Sequence, residues 1–125
     1  MVAELLAVRK NLGLIQPGPQ QAAMAAALAD DTHVDEQRER YAKRRDVLRA
    51  ALEGAGFQID HSTGALYLWA TRDEDCWDTL SALADLGILA APGTFYGPSG
   101  ARHVRIALTA TDERVAAAAA RLRAW

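Results

Sequence analysis

Arg105 is the residue whose type and setting first suggest chemistry. It stands in the run His-Val-Arg-Ile-Ala-Leu (103–108), where a period of two puts Val104, Ile106 and Leu108 on one face and His103, Arg105 and Ala107 on the other. A guanidinium on the face away from the core is either solvated or aimed at a ligand carboxylate, which its planar fork can hold through two parallel hydrogen bonds. Alternation alone favours the solvated state. The stretch from Pro92 to Gly100 carries Phe95 and Tyr96, more ring surface than a solvated connector usually displays. Those rings are either hydrophobic cover for the last strand or contacts for a substrate.

The remaining reactive side chains have bland readings. Cys76 opens an amphipathic helix, where a depressed thiol pKa is conceivable, but a free cysteine is most often a packing residue. His33, His61 and His103 are far apart and show no metal-ligand spacing, and His61, between Asp60 and Ser62, reads as a loop histidine. Gly93 and Gly97 lack the Lys-Ser or Lys-Thr that follows the second glycine of a phosphate loop. Composition excludes more. The 125 residues carry 14 basic and 16 acidic side chains, a net charge of −2, so the basic footprint of a nucleic-acid binder is missing. Twelve of the basic residues are arginine, a bias that GC-rich coding produces without functional selection. The uncharged run from Asn11 to Ala29 contains Asn11, Gln16, Pro17, Pro19, Gln20 and Gln21, which argues against a membrane span. Glu4 interrupts what would be the apolar part of a signal peptide, and the cytoplasm is the expected compartment.

The elements that must position Arg105 follow from periodicity. Val2, Leu5, Leu6 and Leu12 predict a helix ending near Gly13, with no cap before it, and an Ala-rich helix is expected from Gln20 to about Ala29. Thr32 and Asp35 read as a capping box opening a long helix with the stripe Val34, Tyr41, Leu48 and Ala55. Its other face, including Glu36, Arg38, Glu39, Arg40, Lys43, Arg44 and Arg45, reads as solvated, and Gly54 and Gly56 stop it. Phe57 to Asp60 and Ala65 to Ala70 are expected as strands. A helix from Asp73–Asp75 follows, with Trp77, Leu80, Leu83, Ala84 and Leu86 as its apolar face and Gly87 as its end. Ile88 to Ala90 is a buried strand candidate, and Thr111 caps a closing helix with Asp112 and Glu113 in its first turn and Arg121 and Arg123 in its last. The expected class is α+β, a small sheet with helices on one face.

Five ordered segments carry a resemblance: residues 13–24 (GLIQPGPQQAAM), 44–48 (RRDVL), 64–69 (GALYLW), 86–97 (LGILAAPGTFYG) and 103–109 (HVRIALT). Together, spanning essentially the whole chain, they resemble the C-terminal portion of a class I/II, fold type I, pyridoxal-phosphate-dependent aminotransferase. The wording Arg-Ile-Ala-Leu-Thr-Ala-Thr (105–111) is similar to actinobacterial succinyldiaminopimelate transaminases, which serve lysine and cell-wall precursor synthesis. The resemblance implies that residues 1–31 are the tail of a large cofactor-binding domain and residues 32–125 the C-terminal small domain. It implies that Arg105 binds the α-carboxylate of an amino acid or 2-oxo acid, with Phe95 and Tyr96 in a loop at the cleft mouth whose glycines permit closure over substrate. It also implies a homodimer, with Leu14 to Pro19 approaching the partner's active site.

The lysine that would hold pyridoxal phosphate as a Schiff base has no counterpart here. Lys10 and Lys43 are the chain's two lysines, and neither stands in the Ser-Lys segment that marks the family's cofactor site. The expectation is a piece of a longer enzyme, inactive alone. The alternative is a non-catalytic ferredoxin-like regulatory or interaction module that binds a small acid through Arg105.

Overall fold

The computed structural model describes residues 1–125 and divides them into two compact units, Met1–Glu36 and Gln37–Trp125. Helices α1 (Val2–Asn11), α2 (Gly18–Leu28) and the first turn of α3 (Thr32–Gly54) make up the first unit. Neither α1 nor α2 buries a side chain. After α1, Gly13 takes a positive φ of 70°, and the Arg9 guanidinium donates to the Leu14 carbonyl at 3.1 and 3.2 Å, closing the turn. The second helix begins at Gly18 rather than Gln20, because Pro19 fits a first turn where its missing N–H is not needed. Thr32 lies inside α3 and does not cap it. The Asp31 carbonyl accepts the first helical hydrogen bond, from Asp35 N, while the Asp30 carboxylate accepts from Thr32 N at 2.9 Å. That backbone hydrogen bond, with the Thr32 hydroxyl and His33, holds the Asp30 carboxyl below its ordinary pKa.

In the second unit the sheet has three antiparallel strands in the order β1 (Tyr67–Ala70), β3 (Val104–Ala107), β2 (Ala91–Pro92), with β3 central. Leu68, Ala70, Val104 and Ile106 point to one side, where they form one core with Leu48, Ala51 and Leu52 of α3, Leu83 of α4 (Cys76–Asp85) and Val115, Ala119 and Leu122 of α5 (Asp112–Arg123). Each fully buried leucine here, such as Leu52 or Leu68, contributes about 1.5–3 kcal/mol. The α+β class and the one-sided helical layer match the expectation. No helix is long and apolar enough to cross a membrane.

The two expected strands that fail do so for one reason. Gly56 (φ 84°) ends α3, with Gly56 N donating to Glu53 O and Phe57 N to Leu52 O, both bonds of a Schellman motif. Phe57 is therefore spent on helix termination, and the span 57–60 keeps a single bridge, Gln58 to Thr71. Gly87 (φ 65°) ends α4 in the same way, with Ile88 N donating to Leu83 O, so pairing begins only at Ala91. Pro92 is tolerated because β2 is an edge strand. In α4 the buried face is Cys76, Thr79 and Leu83, set by the Asp75 cap, and Trp77 is turned outward, 54% exposed.

Arg44 and Arg45 correct the solvated reading of α3. Arg44, 13% exposed, donates to Asp112 at 2.5 Å and to the Leu108 carbonyl at 3.2 Å, joining α3 to the start of α5. Arg45 donates to the Ser62 hydroxyl at 3.1 Å, to the Ala65 carbonyl at 2.6 Å and to the Gly64 carbonyl, fastening the loop that leads into β1. At the head of α5 the Thr111 hydroxyl accepts from Arg114 N at 3.4 Å. The Glu113 carboxyl is held below its ordinary pKa by its own backbone N–H first and by Thr111 second.

Candidate functional site

The sheet face opposite the helices is where the reactive groups gather. Arg105 sits at the centre of β3, directly across from Trp69 on one side and Ala91 on the other. Because β1 alternates in the same phase, Tyr67 and Trp69 share this face with Arg105. Tyr96 reaches it from a 3-10 turn at Gly93–Tyr96. The Arg105 guanidinium carbon lies 5.6 Å from the Tyr67 ring centroid and 5.3 Å from that of Tyr96, inside the range where a ring face attracts a cation. The Trp69 ring stacks on His103 at 5.2 Å and 9°, and meets Tyr96 edge-on at 5.6 Å and 85°.

Two buried nitrogens on this face have no hydrogen-bond partner, Arg105 Nε and His103 Nδ1. A buried donor left unmatched costs about 1–3 kcal/mol, more when charged. Two hollows meet at Arg105. One, of about 370 Å³, is lined by Tyr67, Trp69, Tyr96 and Arg105; the other, of about 440 Å³, by Ala65, Leu66, Tyr67, Arg105, Ala107 and Thr109. No carboxylate lines either, so the positive charge has no protein counter-ion there, and the arrangement can accept an anion with planar oxygens. A cavity of about 460 Å³ elsewhere, with Leu48, Ile88, Val115 and Leu122 in its wall, is mainly apolar. Its Arg121 already donates to the Leu86 carbonyl at 2.8 Å, so this is not where the chemistry lies.

Of the residues singled out in sequence, Arg105 and Tyr96 come together, and Phe95 does not join them. The Phe95 ring packs edge-on against Trp77 at 6.1 Å and 75° and is 71% exposed. The loop that carries both rings is pinned. A Cβ on Gly93 would strike the Gly100 carbonyl, and one on Gly100 would strike that of Gly93, while Gly93 N donates to His103 O at 2.8 Å. Gly93, one of the two glycines of the Pro92–Gly97 segment expected to permit movement, is thus required for close backbone packing instead, as is Gly100. Cys76 N donates to Ala101 O at 2.9 Å, and Cys76 itself is fully buried, with Sγ 3.9 Å from the Thr94 hydroxyl. His61 is exposed in its loop with a φ of 51°.

Tyr67 and Trp69 were not singled out, although the alternation of Tyr-Leu-Trp-Ala (67–70) against the buried Leu68 and Ala70 carries the signal, and His103 was placed on the Arg105 face without a role. No group of three or more His, Cys, Asp or Glu is placed to hold a metal ion. Pyridoxal phosphate requires a lysine amine, and the lysine of the second unit, Lys43, does not line the Arg105 hollows but borders a separate one with Arg40, Arg44 and Asp112. The residues gathered here do not by themselves fit the cofactor.

Comparison with known proteins adds a family model described as aminotransferase class I and II, which matches residues 1–122. The 4-dedimethylamino-4-oxo-anhydrotetracycline transaminase OxyQ of Streptomyces rimosus is 65% identical over 122 residues, covering 98% of this chain and 34% of that protein. The probable aminotransferase Rv1178 of Mycobacterium tuberculosis is also 65% identical over 122 residues, 98% of this chain and 29% of its own length. An aromatic aminotransferase structure from Pyrococcus horikoshii aligns with a TM-score of 0.74 at 27% identity, over 83% of this chain and 30% of that one. The chain spans about a third of the length of the curated relatives it matches.

Proposed function

We propose that this chain, which belongs to the class I and II aminotransferase family, provides the substrate-carboxylate grip of an enzyme that moves an amino group between an amino acid and a 2-oxo acid. The observation that carries this reading is Arg105: a guanidinium held between two rings, one nitrogen buried and unmatched, facing hollows that contain no carboxylate. Two parallel N–H to oxygen bonds from Arg105 to the α-carboxylate would fix the rotation of the substrate as well as its place. That orientation converts a chance encounter into a positioned one. The ring-lined hollow thins the water around the ion pair and strengthens it.

In the complete enzyme, pyridoxal phosphate supplies the electron sink for amino transfer. Neither Lys10 nor Lys43 stands in a Ser-Lys cofactor segment, so the 125-residue chain alone is expected not to transaminate. Residues 1–31 are read as the tail of the large domain and 32–125 as the small domain, in keeping with a division into compact units at Glu36. A homodimer places Leu14 to Pro19 near the partner's site. The similarity of Arg105–Thr111 to succinyldiaminopimelate transaminases supports N-succinyl-diaminopimelate as amino donor and a lysine-biosynthetic role. A match across residues 1–122 favours this over a free-standing ferredoxin-like module.

A second reading of the acceptor rests on Tyr67, Trp69 and Tyr96, whose rings line one hollow and suit a ring-bearing ketone; the name of the S. rimosus relative gives a 4-oxo-anhydrotetracycline for that enzyme. The test is a chimera in which this chain replaces the matched 122 residues of that relative. Cofactor-loaded chimera is expected to transaminate amino acids with a 2-oxo acid, N-succinyl-diaminopimelate among the best, while the chain alone is inert. A folded, cofactor-loaded chimera that transfers no amino group would overturn the reading.

A further inference from the structure

The geometry points to Tyr67 and Tyr96 as a two-ring clamp that fixes the Arg105 guanidinium in the pose that meets a carboxylate, making both tyrosines positioning residues. The inference rests on the carboxylate reading of Arg105 and adds what holds that arginine ready. An arginine side chain has four rotatable bonds, and in mid-strand, with no acidic neighbour, nothing in its own strand selects one rotamer. Here the rings approach from two different elements, at 5.6 and 5.3 Å. They also bury Nε, which has no hydrogen-bond acceptor, so the stem side of the guanidinium is held by ring faces in place of water.

Each ring is anchored independently of the arginine. Tyr67 is paired in register with Ala107, and the loop before it is fastened by Arg45 through Ser62, Gly64 and Ala65. Tyr96 belongs to the turn locked by the contact of Gly93 with Gly100, and its ring is backed edge-on by Trp69. The clamp is therefore built before any ligand arrives, and substrate need not order the arginine as it binds. Both tyrosines are about half exposed, at 44% and 51%, so trimming either ring opens no void in the core.

The test uses the 125-residue chain, with the Arg105 side-chain N–H signals followed by NMR and sodium acetate as probe. The Nε–H proton should be shifted upfield by the two rings and exchange slowly with water. Tyr67→Phe and Tyr96→Phe, which keep the rings, should preserve both properties and the acetate affinity to within about twofold, whereas Tyr67→Met and Tyr96→Met should lose the upfield shift and weaken acetate by about 3- to 30-fold. In an Arg105→Ala background the Met variants should change acetate binding no further. An Nε–H signal of ordinary shift, Phe variants as weak as Met variants, or effects that add to Arg105→Ala would each overturn the clamp. Ring-shifted signals that acetate leaves untouched would instead overturn the carboxylate reading on which it rests.

Discussion

Gly93 and Gly100 meet backbone to backbone, so closely that a Cβ on either would stand deep inside the other's carbonyl oxygen. The contact ties both ends of the aromatic turn together just ahead of β3, and His103 O, one residue before the strand, receives the Gly93 N–H. What holds Tyr96 over Arg105 is thus main-chain packing, and that packing excludes every side chain larger than hydrogen at two positions.

Gly93→Ala should destabilise the second unit by about 1–3 kcal/mol, the usual cost of forcing a methyl into a filled space. Gly97→Ala forces an alanine into a positive φ of 115° but meets no atom within 4 Å, so its cost is backbone strain without a clash. Urea unfolding of the two variants separates the effects. Gly93→Ala should also disturb the Arg105 side-chain signals, and an unperturbed, fully stable Gly93→Ala protein would contradict the packing account.

Glu113 predicts a direction of pH dependence. Its carboxyl is held below the ordinary range by its own backbone N–H and by Thr111, so the folded state favours the ionised form. Its contribution to stability is complete above the unfolded glutamate pKa of about 4.3, and is lost as pH falls through the lower folded value. Melting temperature recorded between pH 7 and pH 2 should fall less steeply at the acid end for Glu113→Gln than for the parent chain. Equal slopes would rule out this carboxyl as a contributor.

Cys76 should behave as an inert packing residue. It is fully buried at the start of α4, so a thiol reagent should label it only in denaturant, and Cys76→Ala should cost about 1 kcal/mol. Rapid labelling of the native chain would show that this part of the fold opens.

The side of the sheet on which Arg105 lies was legible, because strict alternation in residues 103–108 admits one register against a buried face. Ile88–Ala90 and Phe57–Asp60 were misread, since apolar residues after a helix-ending glycine look like strand openings while their N–H groups close the helix. Arg44 and Arg45 lie on a charged stripe, and only tertiary structure shows that they reach Asp112 and the loop before β1. The role of Gly93 and Gly100 has no local signal, because two chain segments must meet before either glycine matters. Tyr67 and Trp69 were legible in principle, through the same alternation that placed Arg105.

The carboxylate grip of Arg105 is tested most directly by Arg105→Ala and Arg105→Lys in the cofactor-loaded chimera, with KM for amino-acid substrate and the cofactor's absorbance measured together. Two charge-assisted hydrogen bonds, each contributing about 1.5–3 kcal/mol, predict that alanine raises KM on the order of 100-fold or more. Lysine, a point charge without the fork, should recover only part of the loss. The absorbance of the bound cofactor should stay that of the parent enzyme. Unchanged KM in Arg105→Ala, with cofactor bound normally, would contradict the account.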